Sequence, residues 1–157
     1  MGYNLELRTT EVGGELNIFD SGQVRWITGG VTIDHTTVEP VDGKRILPAG
    51  TIIGRITESK KFGPWDAEAD DGREVPLYMI AEELDVTEGD KVVTAFDHGR
   101  VIVERLPYEE IPVEVVEALR DIIFVKDGIP FAGDVVDEGN GNGNGNGDGD
   151  GNGNGED

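Results

Sequence analysis

ILPAGTIIGRITESKKFGPWDAEADDGREVPLYMIAEELDVTEGDKVVTAFDHGRVIVERL, residues 46 to 106, holds most of the strand-forming sequence of this chain and decides its fold. Leu47-Pro48-Ala49-Gly50 has Pro second and Gly fourth, the preference of a type I turn, and the β-branched run from Thr51 to Thr57 follows it as a strand. A long polar loop, Glu58 to Glu74, interrupts the pattern. Val75 to Ala81 is then almost wholly apolar, which predicts a strand covered on both faces. Glu88-Gly89-Asp90 breaks the chain before Lys91 to Phe96, and Asp97-His98-Gly99 separates that run from Arg100 to Arg105. Those two runs read as a hairpin.

Upstream, Leu16, Ile18 and Phe19 form a small apolar group, and Asp20-Ser21-Gly22 reads as a turn. Val24 to Ile27 and Val31 to Ile33 are two short strands around Gly29-Gly30, and Asp42-Gly43 is a further turn signal. Downstream, Pro112 suits the first position of a helix whose apolar stripe is Val115, Leu119 and Ile123 with Val116, while Glu114, Glu117, Arg120 and Asp121 face out. Ile123 to Val125 then switches to a strand, turns at Asp127-Gly128 and finishes at Ile129-Pro130-Phe131. The reading is a mostly β domain, a small barrel or sandwich, with one short α-helix.

The two ends differ from this body. Tyr3, Leu5, Leu7 and Thr9 alternate with polar residues, which is strand periodicity, and Gly13-Gly14 follows as a flexible joint. Residues 1 to 14 are therefore expected to form an extended N-terminal arm. It serves either as an edge strand of the domain's own sheet or as a strand added to a partner's sheet. From Gly139 the chain reads GNGNGNGNGDGDGNGNGED and has no apolar residue, so residues 139 to 157 are expected to be a disordered acidic Gly/Asn-rich tail. Part of it matches the first half of a calcium-hand loop, but the acidic twelfth position is missing. The domain proper is 15 to 138.

Thirty-three acids against thirteen bases give a net charge of -20. Without the tail it is still -16, with 29 acids and 13 bases in residues 1 to 138. That balance excludes a nucleic-acid partner, because phosphate contacts need clustered Lys and Arg. It is the kind of surface found in halophiles, so a salt-loving host is expected. Cysteine is absent, which removes disulfides, thiol nucleophiles and thiolate metal sites. Residues 1 to 20 lack the apolar segment of a secretory signal, and no window is apolar enough to span a bilayer, so no membrane partner is expected.

The chemistry-bearing residues are few. His35 and His98 are the only imidazoles, and there is no HExxH, G-x-S-x-G or Walker loop. His98 falls at the expected hairpin tip, where a turn role suffices. His35 follows Asp34, but neighbours in a strand point to opposite faces. In the long loop, Asp66, Glu68, Asp70 and Asp71 concentrate negative charge and read either as a hard-cation site or as a solvated loop whose aromatics pack on a neighbouring subunit. The spacing fits no calcium-loop template, which favours the second reading. No catalytic residue, metal or cofactor is assigned. Trp26 reads as a core or subunit-interface residue, since large aromatics are mostly buried, and with Phe62, Pro64 and Trp65 it makes up the subunit-interface candidates.

LPAGTIIGRIT, then a K-K-F-G-P-W loop, an A-D-D-G-R-E-V-P step, an apolar strand, and ELDVTEGDKVV with G-R-V-I-V, resembles the lambda-type head decoration proteins of tailed viruses. The resemblance covers residues 46 to 106 and implies a small, mostly β, usually trimeric protein. Such a protein sits on the outside of the expanded capsid and clamps neighbouring major capsid protein subunits. It also implies that the arm, through Tyr3, Leu5, Leu7 and Thr9, contacts the coat, and that assembly takes place in the host cytoplasm. The alternatives are a small oligomeric β-barrel enzyme with a carboxylate-bound metal at Asp66 to Asp71, or an acidic surface or adaptor module unrelated to capsids.

Overall fold

A computed structural model describes residues 18–20 and 22–135. The strands, in chain order, are β1 (Arg25–Trp26), β2 (Val31–Ile33), β3 (Ile46–Leu47), β4 (Ile52–Arg55), β5 (Phe62–Pro64), β6 (Tyr78–Ile80), β7 (Leu84–Asp85), β8 (Lys91–Val93), β9 (Ala95–Ile102), β10 (Ile122–Lys126) and β11 (Ile129–Pro130). Among the described residues the one α-helix is α1 (Val113–Ala118), so the protein is mostly β, as its residues predict. A nine-stranded sheet runs β11-β10-β9-β6-β4-β5-β2-β8, with β1 attached to β9, and β3 and β7 form a separate pair. The sheet is mixed: β10 lies parallel to β9 and β2 to β5. The arm and the tail lie outside the described residues.

The sheet is buried on both faces at its centre. Along β4, Ile52 enters one apolar cluster and Ile53 the other; Met79 and Ile80 of β6 divide in the same way, as do Phe96 and Ala95 of β9. Alternation in a strand sends adjacent side chains to opposite faces. Central strands covered on both sides are therefore continuous apolar pairs, and the Met79-Ile80-Ala81 run reads that way in the sequence. The first cluster is closed by Val115 and Leu119 of the helical segment and the second by Leu47 of β3 and Val86, the residue after β7.

Both Asp-Gly signals are turns. Asp42 and Gly43 have φ of 53° and 77° between the bridged Val41 and Lys44, and Asp127 and Gly128 have φ of 53° and 78° between β10 and β11. Two consecutive positive φ values are the type I′ requirement, which suits the twist of a hairpin.

Four expectations are corrected. Asp97-His98-Gly99 is no hairpin tip: β9 runs unbroken through it. Arg25 registers with His98 and Trp26 with Phe96, so Asp97 is an extra residue in the ladder, a β-bulge, which recruits the same residue types as a turn. The turn at Gly50 lies one residue later than its pattern suggests: Thr51 N–H donates to Pro48 O at 3.2 Å, and Gly50 adopts φ 87° at the third position, as a type II turn requires. The strand expected over 75–81 is confined to Tyr78–Ile80, because Val75 N–H closes a turn on Gly72 O at 3.3 Å and leaves Val75 51% exposed. Finally, Leu119 ends the helix at φ -95° and ψ 48°, so Ile123 belongs to β10 and points out, while Ile122 and Phe124 take the buried positions.

Candidate functional site

The arm residues Tyr3, Leu5, Leu7 and Thr9 lie outside the described residues, but the point where the chain reaches the body is defined. Ile18 and Phe19 are buried in the first cluster, Phe19 bridges Val101 of β9, and Asp20 N–H donates to Arg100 O at 2.9 Å. Trp26 sits just beyond. Its ring meets Phe19 edge-on at 5.9 Å and Phe96 at 6.0 Å, yet the residue is 44% exposed, so one side of the indole is supported by the core and the other meets solvent.

The remaining interface candidates fall on the β4–β5 hairpin and the loop after it. Phe62 is 9% exposed, with its ring 5.5 Å from Tyr78, so its apolar surface is already covered by its own domain. Pro64 and Trp65 are half-buried and line an open groove of about 480 Å³ with Ile46, Leu47, Asp66 and Arg73. The indole Nε1 of Trp65 donates to Glu74 O at 3.1 Å, which pins the two ends of the loop together. Glycine makes this close approach possible: Gly54 and Gly63 are cross-strand partners, and a Cβ on Gly54 would stand 2.7 Å from Arg73 Cα.

The loop's acids are engaged locally. Asp71 pairs with Arg73 Nε at 2.9 Å and takes the Arg73 N–H, which holds its carboxyl below the usual range. Asp66 accepts the Glu68 N–H at 3.0 Å and Glu74 the Gly72 N–H at 2.8 Å. Among the described residues, the group whose possible ligand atoms come together lies elsewhere: Asp34, His35 and Asp90, all within 4.8 Å of one another.

Sequence reasoning missed that group for two reasons. His35 lies in a 3-10 turn, His35–Thr37, rather than a strand, so Asp34 and His35 turn to the same side; and Asp90 is 55 residues away. His35 Nδ1 is 2.6 Å from Asp90 Oδ1, the His35 backbone N–H donates to the same oxygen at 3.0 Å, and Lys61 Nζ reaches Asp90 Oδ2 at 2.6 Å. These contacts, the His35 ring first, hold the Asp90 carboxyl far below its ordinary range and raise the Lys61 ammonium above its own. Asp34 meanwhile accepts from the Thr36 N–H at 3.0 Å and the Thr36 hydroxyl at 2.7 Å. With the Lys61 ammonium already supplying a cation, the arrangement works as a polar clasp between the β2 and β8 ends of the sheet.

The sheet's outer edges are blunt. β8 is three residues long and starts with Lys91, and β11 is two residues long and contains Pro130. Short, charged or proline-bearing edges resist strand addition, so the body is poorly suited to accept a foreign strand there.

Fold and surface together define a small, mostly β protein with a sheet core and supported apolar side chains at its surface. The comparison with protein families is specific: residues 23–110 match bacteriophage lambda head decoration protein D, which is more than half of the chain. The chain belongs to that family, a family of structural proteins of the phage head. Comparison with curated proteins gave no significant match.

Proposed function

We propose that this head decoration protein binds the outside of the expanded capsid as a homotrimer and stabilises the shell by bridging major capsid protein subunits. The observation that carries this reading is the family match, which spans the folded body from β1 to the segment leading into α1. Two features of the chain support it. The alternating arm sequence, with Tyr3, Leu5, Leu7 and Thr9, has the periodicity of a strand that adds to a coat-protein sheet, while the body's own edges are blunt. Trp26, Pro64 and Trp65 present partly exposed apolar surface, Trp26 and Trp65 against the first apolar cluster, which suits contacts between subunits, whereas Phe62 is buried in the second cluster.

Each contact is modest, and the symmetry of the shell multiplies it: arms held on one trimer act at high effective concentration. The protein assembles onto heads in the host cytoplasm. The test is to delete residues 1 to 12 and measure binding to empty expanded capsids. A folded body that no longer binds supports the arm's role. Binding at full affinity without the arm refutes it.

A further inference from the structure

We infer that the groove beside Trp65 is the resting site of the chain's own N-terminal arm in the free protein, before a coat subunit takes it. The inference goes beyond the reading above, because it concerns a contact within one chain and does not depend on what the arm later binds.

The groove is shaped by a strap. Thr57 N–H donates to Asp71 O at 2.8 Å and Asp66 N–H to Arg73 O at 3.2 Å, which ties the end of the long loop across the β4–β5 hairpin. The approach is so close that a Cβ on Gly63 would stand 2.9 Å from Arg73 Cδ. Arg73 is thereby set into the wall of the groove, with its side chain 18% exposed. Asp71 engages only its Nε, so Nη1 and Nη2 remain as donors. Ile46, Pro64 and Trp65 supply apolar surface beside this fork, and Ile46 is 39% exposed. Glu39 and Asp66 also line the groove, and neither forms an ion pair among the described residues.

The arm carries the complementary set. Leu5 and Leu7 alternate with Glu6 and Arg8, so an extended arm offers an apolar side and a side with one acid and one base. The leucines suit Ile46, Pro64 and Trp65. Glu6 suits the open Arg73 fork, whose geometry matches a carboxylate, and Arg8 suits Glu39 or Asp66. The connection is also long enough. The chain reaches the body at Ile18, which packs in the same apolar cluster that Trp65 lies against. Leu7 stands eleven residues before Ile18, a reach of up to about 36 Å, while a body of this size has a radius of gyration of about 13 Å. A neighbour's arm has the same residues but lacks the shared chain, which gives the chain's own arm an effective concentration on the order of millimolar. A loose apolar strand is moreover a template for aggregation, so an arm built to add to another sheet gains from a place to rest.

The test uses the full chain. It has no cysteine, so Thr10→Cys carries a single nitroxide spin label. The label is expected to broaden the Ile46 amide and the Trp65 indole N–H signals in nitrogen-15 spectra. Leu5→Ser with Leu7→Ser, changes that lie ahead of the described body, should abolish that broadening, and Glu6→Gln should weaken it. When enriched chains without the label are refolded with an excess of labelled, unenriched chains, no broadening is expected. Sharp Ile46 and Trp65 signals in the labelled protein overturn the inference, as does broadening that survives the double serine change. Broadening in the refolded mixture gives the groove to a neighbour's arm and overturns it equally. Each of these failures leaves capsid binding, measured separately by co-sedimentation, where it stands.

Discussion

The backbone N–H of Ile52 donates to the phenol oxygen of Tyr108 at 2.8 Å, joining the first residue of β4 to a side chain 56 residues further along. Ile52 is buried at the centre of the first apolar cluster and Tyr108 packs against it. The bond therefore satisfies a backbone donor that water cannot reach, and it fixes the segment leading into α1 against the sheet.

Tyr108→Phe keeps the ring and removes the acceptor. An unsatisfied buried donor costs about 1–3 kcal/mol, and urea unfolding of the variant should show a loss of that size with an unchanged denaturant slope. The same phenol sets an alkaline limit. Burial pushes its pKa up to about 12, above the ~10 of an unfolded tyrosine. A group whose native pKa is raised keeps its full contribution below the unfolded value and loses it as pH climbs through the native one. Wild-type stability should thus fall by about 2–3 kcal/mol between pH ~10 and ~12, and Tyr108→Phe should lack that component.

Gly54→Ala probes the cradle beneath the loop. The added Cβ would stand 2.7 Å from both Cα and O of Arg73, backbone atoms that cannot swing aside as a side-chain tip would. Overpacking of this kind costs about 1–3 kcal/mol. The expected result is a lower melting temperature, together with a shift in Trp65 fluorescence as the segment that accepts its indole N–H lifts. An unchanged melt would mean that the loop does not lie on the hairpin.

Asp90→Asn tests the clasp formed with His35 and Lys61. A carboxylate held below its ordinary range contributes stability above the unfolded pKa and loses it as pH falls through the native one. Asp90, Asp71, Asp85 and Glu104 are all shifted in this direction, so wild-type stability should decline below pH ~4. Asp90→Asn should be less stable at neutral pH and should decline less steeply in acid. Relief of the body's overall repulsion acts in the opposite sense, so the comparison is between wild type and variant at each pH.

Salt should stabilise this protein. With 33 acids and 13 bases, the folded state concentrates like charge, and screening shortens from ~10 Å at 0.1 M to ~3 Å at 1 M salt. Melting temperature should rise steadily with KCl, and dilute buffer should favour unfolding. A melt indifferent to salt would remove the case for a salt-loving host.

The sequence made local chemistry legible and left long-range pairing hidden. Asp42-Gly43 and Asp127-Gly128 declare type I′ turns because few other pairs tolerate two positive φ values. The strands Ile52–Arg55, shorter than the Thr51 to Thr57 run that predicts it, and Val31–Ile33 follow from β-branched runs, and Met79-Ile80 from burial on both faces. Asp97-His98-Gly99 misleads because a bulge and a turn draw on the same residues, and only the pairing of Arg25 and Trp26 with His98 and Phe96 decides between them. Ile123 fits a helical stripe by spacing, yet the helix has already ended at Leu119. The His35 and Asp90 contact carries no local signal, since it depends on β2 and β8 lying side by side. Trp26 is legible as a large aromatic within the short strand expected over Val24 to Ile27, but its half-supported, half-exposed setting depends on Phe19 and Phe96.

The most direct test of the central claim, that this chain works by attaching to and bracing a phage head, is to mix purified protein with empty expanded capsids and count the copies that co-sediment. The account predicts saturable binding to a fixed number of sites in threefold multiples, and heads that withstand higher temperature once decorated. Protein that stays in the supernatant at every concentration, with undecorated and treated heads failing at the same temperature, would contradict it.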